Sequence, residues 1–313
     1  MMRRRSFIVW LVGASPFAAI GRALAAPPAV IADGTPIGRG KLLVVHEDAA
    51  GRIVALDSSA YLEPHPTGPA DVIVVGSYCG TRILAPMFSR GVKAVIATDA
   101  GIGKDEAGIS GLKHGETIGV PVAAIAAMSA ETSNGRATLL GAISRANAQA
   151  RALGVSPGMV AYEAAALLAK AAAGKAVATP LGAEEAAVVV EETVRGRIWA
   201  TPGTTAIKHP IPSDVICSGA NSSRVFADGV LRMAAKGGIA NDAGIGKNDS
   251  AVEGVRMLGE RGVPAAAVGT LSARLGEGLS TWHDGVISVV NPVAAARGVE
   301  VGMTAQAAAR LML

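Results

Sequence analysis

The six residues Asp99-Ala100-Gly101-Ile102-Gly103-Lys104 return as Asp242-Ala243-Gly244-Ile245-Gly246-Lys247, 143 positions further along a chain of 313 residues. The match does not stop there. At the same offset Asp71-Val72-Ile73 meets Asp214-Val215-Ile216, Gly76 meets Gly219, Lys93 meets Lys236, Gly119-Val120-Pro121 meets Gly262-Val263-Pro264, and Ser129-Ala130 meets Ser272-Ala273. About a third of positions agree without a gap from Asp71 to Ser133, which marks a repeated structural unit. With small gaps the likeness extends both ways. "GRIVALDSSAYLEPHP" pairs with "GRIWATPGTTAIKHP", and Ser144, Asn147 and Met159 pair with Ser288, Asn291 and Met303.

Each copy has the same order of patterns. A hairpin ("KLLVVHEDAAGRIVAL"; "AAVVVEETVRGRIWA") precedes an apolar strand ("DVIVVG"; "DVICSG") and a helical stretch. A second strand ends at the hexapeptide, a second helix follows, and a third strand ("VPVAAIAAM"; "VPAAAVGTL") leads through a polar loop to an Ala-rich helix. Uniformly apolar strands alternating with helices are parallel strands buried on both faces. Half of the residues are hydrophobic and only 3% aromatic, so the core is built from Ala, Val, Ile and Leu. The fold class expected is α/β: a tandem duplication of a three-layer α/β domain with a mostly parallel sheet and a preceding β-hairpin, the copies related by pseudo-two-fold symmetry. The boundaries expected are an export signal over 1–25, an N-terminal segment over 26–37, repeat 1 over 38–175, a linker over 176–182 and repeat 2 over 183–313.

The first 25 residues carry Arg3-Arg4-Arg5, an apolar middle and Ala23-Leu24-Ala25, the pattern of a secretory signal cut before Ala26. Arg4-Arg5-Ser6-Phe7 resembles the twin-arginine export motif of bacteria, which implies a periplasmic or secreted destination. Four arginines leave with this segment, so Lys+Arg falls from 29 to 25 and balances the 25 Asp+Glu. The basic isoelectric point therefore carries no message about nucleic acid, and no membrane contact is expected after cleavage. The two cysteines, Cys79 and Cys217, read as independent thiols.

In both copies the hexapeptide connects a strand end to a helix, the edge of an open α/β sheet where ligands bind. Gly101, Gly103, Gly244 and Gly246 would let backbone amides turn toward an anion, with Lys104 and Lys247 adding positive charge. Asp99 and Asp242 are candidate general acid/base groups. The alternative is that the aspartates cap helices and the glycines only permit tight turns. Ser129, Ser272 and Asn241 lie on the same edge. Arg274 and His283 occur only in the second copy, which makes Lys247 the expected stronger ligand contact and His283 a further catalytic candidate.

No Walker A loop and no G-x-G-x-x-G fingerprint occurs, so ATP and NAD are not supported. No built-in zinc pattern occurs; a divalent cation shared by Asp99 and Asp242 stays open. The function expected is an exported enzyme of hydrolase or lyase type acting on a small polar or anionic metabolite between the repeats. The alternative is a periplasmic solute-binding protein with its ligand between two α/β lobes. Substrate and oligomeric state are not fixed by the sequence.

Overall fold

The computed structural model describes residues 27, 29–32, 34–181 and 186–313. The export signal over 1–25 and its cleavage point lie outside the described residues. The rest is mixed α/β, with two six-stranded, mostly parallel sheets. In the first, β1 (Leu43–Asp48), β2 (Gly51–Leu56), β3 (Asp71–Tyr78), β4 (Ala94–Thr98), β5 (Val122–Ile125) and β6 (Ile143–Ala146) lie side by side in chain order. In the second, β7 (Val188–Thr193), β8 (Gly196–Thr201), β9 (Val215–Asn221), β10 (Gly237–Asn241), β11 (Ala265–Val268) and β12 (Ile287–Val290) do the same. In each sheet the four central strands are parallel and the two outer ones antiparallel to their neighbours.

The expected hairpins are β1–β2 and β7–β8. The strands β6 and β12 are an addition. The sequence reading led directly from the third strand to a polar loop and helix, whereas four residues fold back there as an antiparallel edge. Asn147 and Asn291 explain why this works at both places. Each caps the next helix, accepting from Ala150 or Ala294, and also accepts from the first amide of the neighbouring strand region, Val122 or Ala265. Removing such a cap costs about 0.5–2 kcal/mol.

Strand alternation gives each sheet two covered faces. Val72 and Val74 of β3 enter one apolar layer, Ile73 and Val75 the other, all fully buried. Each such side chain contributes roughly 1.5–3 kcal/mol by leaving water. Equivalent ion pairs fix the strand starts: Arg52 Nε and Nη2 lie 2.8 Å from the Asp71 carboxylate, and Arg197 Nη2 lies 2.9 Å from Asp214. Both cysteines are buried free thiols. Burial pushes the Cys217 thiol up to about 12 and raises that of Cys79 as well, so neither is a ready nucleophile. No helix among the described residues is long and apolar enough to cross a membrane.

Candidate functional site

The hexapeptide loops follow β4 and β10 and meet each other between the two halves. Four consecutive residues in each adopt left-handed backbone: Ala100 (φ 47°), Gly101 (70°), Ile102 (67°) and Gly103 (73°), matched by Ala243 (46°), Gly244 (73°), Ile245 (68°) and Gly246 (73°). Left-handed isoleucine is uncommon, because its branched Cβ crowds the backbone. The loops touch at their first glycines. A Cβ added to Gly101 would stand 3.1 Å from Gly244 Cα, and one on Gly244 would stand 3.0 Å from Gly101 Cα. Around them Tyr78, Ala100, Ala107, Ala243, Ala251 and Leu275 form an apolar cluster drawn from both halves.

The loop amides are directed inward. In the first copy Gly101 N donates to Asp99 Oδ1 (3.0 Å), Ile102 N to Asp99 O (2.7 Å), Gly103 N to Gly101 O (2.7 Å) and Lys104 N to Thr270 O (2.8 Å). In the second, Gly244 N and Ile245 N bind Asp242, and Gly246 N binds Gly244 O. The anion cradle anticipated from the glycines is thus closed by the protein's own acceptors. The aspartates are loop ties, not helix caps: Asp99 Oδ1 also accepts from Ala127 N (2.9 Å), and Asp242 Oδ1 from Thr270 N (2.9 Å). Asp242 Oδ2 further accepts from Ser288 Oγ (2.8 Å).

The other sequence candidates take structural places nearby. Ser129 and Ser272 each donate to a carbonyl and accept an amide, closing the turn after β5 or β11. Asn241 is fully buried, accepting from Ala243 N and donating to Ala273 O. Lys104 Nζ lies 3.0 Å from Asp284 Oδ2, and Arg274 spans Asp105 (3.0 Å) and Glu277 (2.8 Å). Residues found only in the second copy thereby hold the first copy's loop. The Ser280 hydroxyl, and then the Lys104 ammonium, hold the Asp284 carboxyl below the usual carboxylate range. Lys247 is exposed and makes no ion pair among the described residues, and His283 is exposed at the end of the helix Gly278–Asp284. Among the described residues, no group of three or more His, Cys, Asp or Glu is arranged to hold a metal.

A cleft with different residues opens beside this contact. It encloses about 260 Å³ between the halves. Its walls are the carboxyl ends of β3 (Ser77, Tyr78) and β9 (Ala220, Asn221), and the turns Ser59–Tyr61 and Thr204–Ala206 that follow β2 and β8. Ser58, Ser133, Leu181, Thr205 and the helix starts at Arg82 and Val225 complete them. A neighbouring hollow of about 250 Å³ shares Tyr78, Arg82 and Leu181 and reaches Arg274 and Glu277.

Ser58, Ser59, Ser77, Tyr78, Ser133, Thr204 and Thr205 bring hydroxyls to a lining that also holds Ile83, Pro86, Leu181, Val225 and Phe226, and several of the hydroxyls are linked. Ser77 Oγ accepts from Ser59 N (3.0 Å) and donates to Ser59 Oγ (3.3 Å). Ser133 Oγ lies 2.8 Å from Ser223 Oγ, across the two halves, and Ser223 Oγ donates to Asn221 Oδ1 (2.8 Å). Beside Ser133, Arg224 Nη2 donates to Ser133 O and to Asp57 Oδ2, both at 2.7 Å. Asp57 is fully buried and also accepts from Ile37 N, Gly38 N and Gly135 N, so one carboxylate fastens the N-terminal segment, the first half and the second half together.

Sequence reasoning noted the loops after β3 and β9 but missed Ser58, Ser59, Thr204, Thr205 and Ser133. A signal existed, since both copies keep hydroxyl residues in the turn after the hairpin. Comparison of the chain with family models, with curated proteins and with solved structures returned no match.

Proposed function

We propose that this chain is exported to the bacterial periplasm or beyond and there holds a small polar or anionic metabolite in the cleft between its two α/β halves. The observation that carries this reading is the cleft itself: linked hydroxyls and an amide at the carboxyl ends of parallel strands, contributed by both halves. Ligands of open α/β sheets bind at that edge. Solute binding is the better supported of the two expected roles. Hydrolase or lyase chemistry needs an acid/base group within about 2.6–3.2 Å of the proton it moves. Asp99 and Asp242 are engaged by amides of their own halves, and neither they nor His283 belong to the cleft lining.

The same proposal includes a tandem duplication with a pseudo-two-fold axis passing close to Gly101 and Gly244. A contact between equivalent residues is what such an axis produces, and the matching strand orders support it.

The test is a thermal-shift screen of the purified mature protein against small carboxylates, phosphates, amides, neutral polyols and divalent metals. A ligand at 100 times its Kd adds about 2.7 kcal/mol to stability. Thr205→Trp, at an exposed position on the cleft rim, should abolish the shift. A shift that survives this substitution, or release of a chemically altered ligand, would overturn the solute-binding reading.

A further inference from the structure

We infer that Ser133 is the residue that selects the ligand of this cleft, by accepting a hydrogen bond from a hydroxyl group, so that the ligand is a small polyhydroxylated molecule. This rests on the cleft being the binding site.

The argument begins with the backbone. Ser133 has φ 58° and is buried. Left-handed conformation costs a non-glycine residue roughly 1–2 kcal/mol. The corresponding position of the second half is Gly276, φ 95°, which adopts the region without that cost. The two residues otherwise do the same thing: Ser133 N donates to Gly76 O (2.8 Å), and Gly276 N to Gly219 O (2.7 Å). The turn therefore needs no side chain, and the first half retains a strained serine where glycine would serve. Strain of this kind, at the wall of a cleft, is an observation from which function is properly inferred.

The hydroxyl's direction then fixes its chemistry. Ser223 has one proton and gives it to Asn221 Oδ1, so in the Ser133–Ser223 bond Ser133 is the donor. The Ser133 oxygen is left as an acceptor in the cleft wall. The relay ends on an amide oxygen, which takes up no proton at neutral pH, so it orients Ser133 rather than activating it as a nucleophile. Around it Ser58, Ser59, Ser77 and Thr204 add further hydroxyls, while the amides of Ser59 and Ala60 are taken up by Ser77 and Ser58. Such a site discriminates by the hydrogen bonds it leaves unmade when a hydroxyl is missing.

The experiment compares glycerate with propionate, carboxylates of equal chain length that differ in two hydroxyls, with myo-inositol as a neutral polyol. Binding is measured by titration calorimetry on the mature protein and on Ser133→Gly, Ser223→Ala and Thr205→Trp. Glycerate and inositol should bind at least tenfold more tightly than propionate, and Ser133→Gly should lose tenfold or more while melting within a few degrees of the parent. A Ser133 kept only to join the halves would give the reverse, a lowered melting temperature with binding unchanged. Propionate binding as well as glycerate, or failure of both hydroxylated probes to bind, overturns the inference. If Thr205→Trp abolishes binding and Ser133→Gly does not, the cleft stands and the role of Ser133 falls. If Thr205→Trp has no effect, the cleft reading itself falls.

Discussion

Replacing Ser222 by alanine or by cysteine should make the protein more stable. Ser222 is fully buried in the connection after β9, and its hydroxyl has no hydrogen-bond partner among the described residues. The corresponding residue of the first half is Cys79, equally buried and held by equivalent bonds. Cys79 N donates to Thr98 O and Ser222 N to Asn241 O, while Gly111 N and Gly254 N donate to their respective carbonyls. Leaving a buried hydroxyl unpaired costs about 1–3 kcal/mol, whereas a thiol behaves there as a small apolar group. Since one kilocalorie per mole moves the midpoint of a chain of this size by roughly 2–4 °C, Ser222→Ala and Ser222→Cys should raise the melting temperature by roughly 2–12 °C. Cys79→Ser should lower it by a similar amount. Scanning calorimetry on the four proteins measures this directly. The first half already shows that this backbone accommodates sulfur, and the alanine variant removes any question of overpacking. An unchanged or lowered midpoint for both Ser222 variants would refute the assignment of an unsatisfied hydroxyl.

Arg224→Met should cost about 3 kcal/mol in a urea titration, the low end for breaking a buried pair, because three amides still hold the Asp57 carboxylate; a loss under about 1 kcal/mol would mean that Asp57 does not depend on its guanidinium partner. The Asp284 carboxyl, depressed by Ser280 and Lys104, stabilises the fold above the ordinary carboxylate pKa of about 3.9, and that contribution disappears as pH falls through its lower folded-state value. Asp284→Asn should therefore flatten the acid limb of the stability curve between about pH 5 and pH 2, read from denaturant midpoints at stepped pH.

Much of the architecture was written in runs of residues that leave little choice. "DVIVVG" buries its four successive apolar side chains in a strand covered on both faces, and β3 is buried along its length. The edge strands β6 and β12 escaped because four residues such as Ile143-Ser144-Arg145-Ala146 carry no period of their own and become strand only through a partner. The hexapeptide was rightly placed at a loop edge, yet its amides were expected to face outward. What reversed them is left-handed backbone at Ala100 and Ile102, residue types whose local preference argues against it, so nothing local could have announced it. The cleft was hidden for another reason: it is assembled across the two halves, and distance in sequence says little about which hydroxyls come to face one another.

The contact between Gly101 and Gly244 has a consequence for how such a chain can change. Over most of the two halves a substitution in one is invisible to the other, and the sequences are free to part. Where the loops touch, each residue is the other's neighbour. A methyl group on either would press into the α-carbon of its counterpart, and neither can make room by moving without carrying a left-handed loop with it. A side chain on one side thus finds no relief in any change on the other, because both are already glycine. Two loops that constrain each other in this way are each held to glycine at the point of contact, whatever the residues around them become.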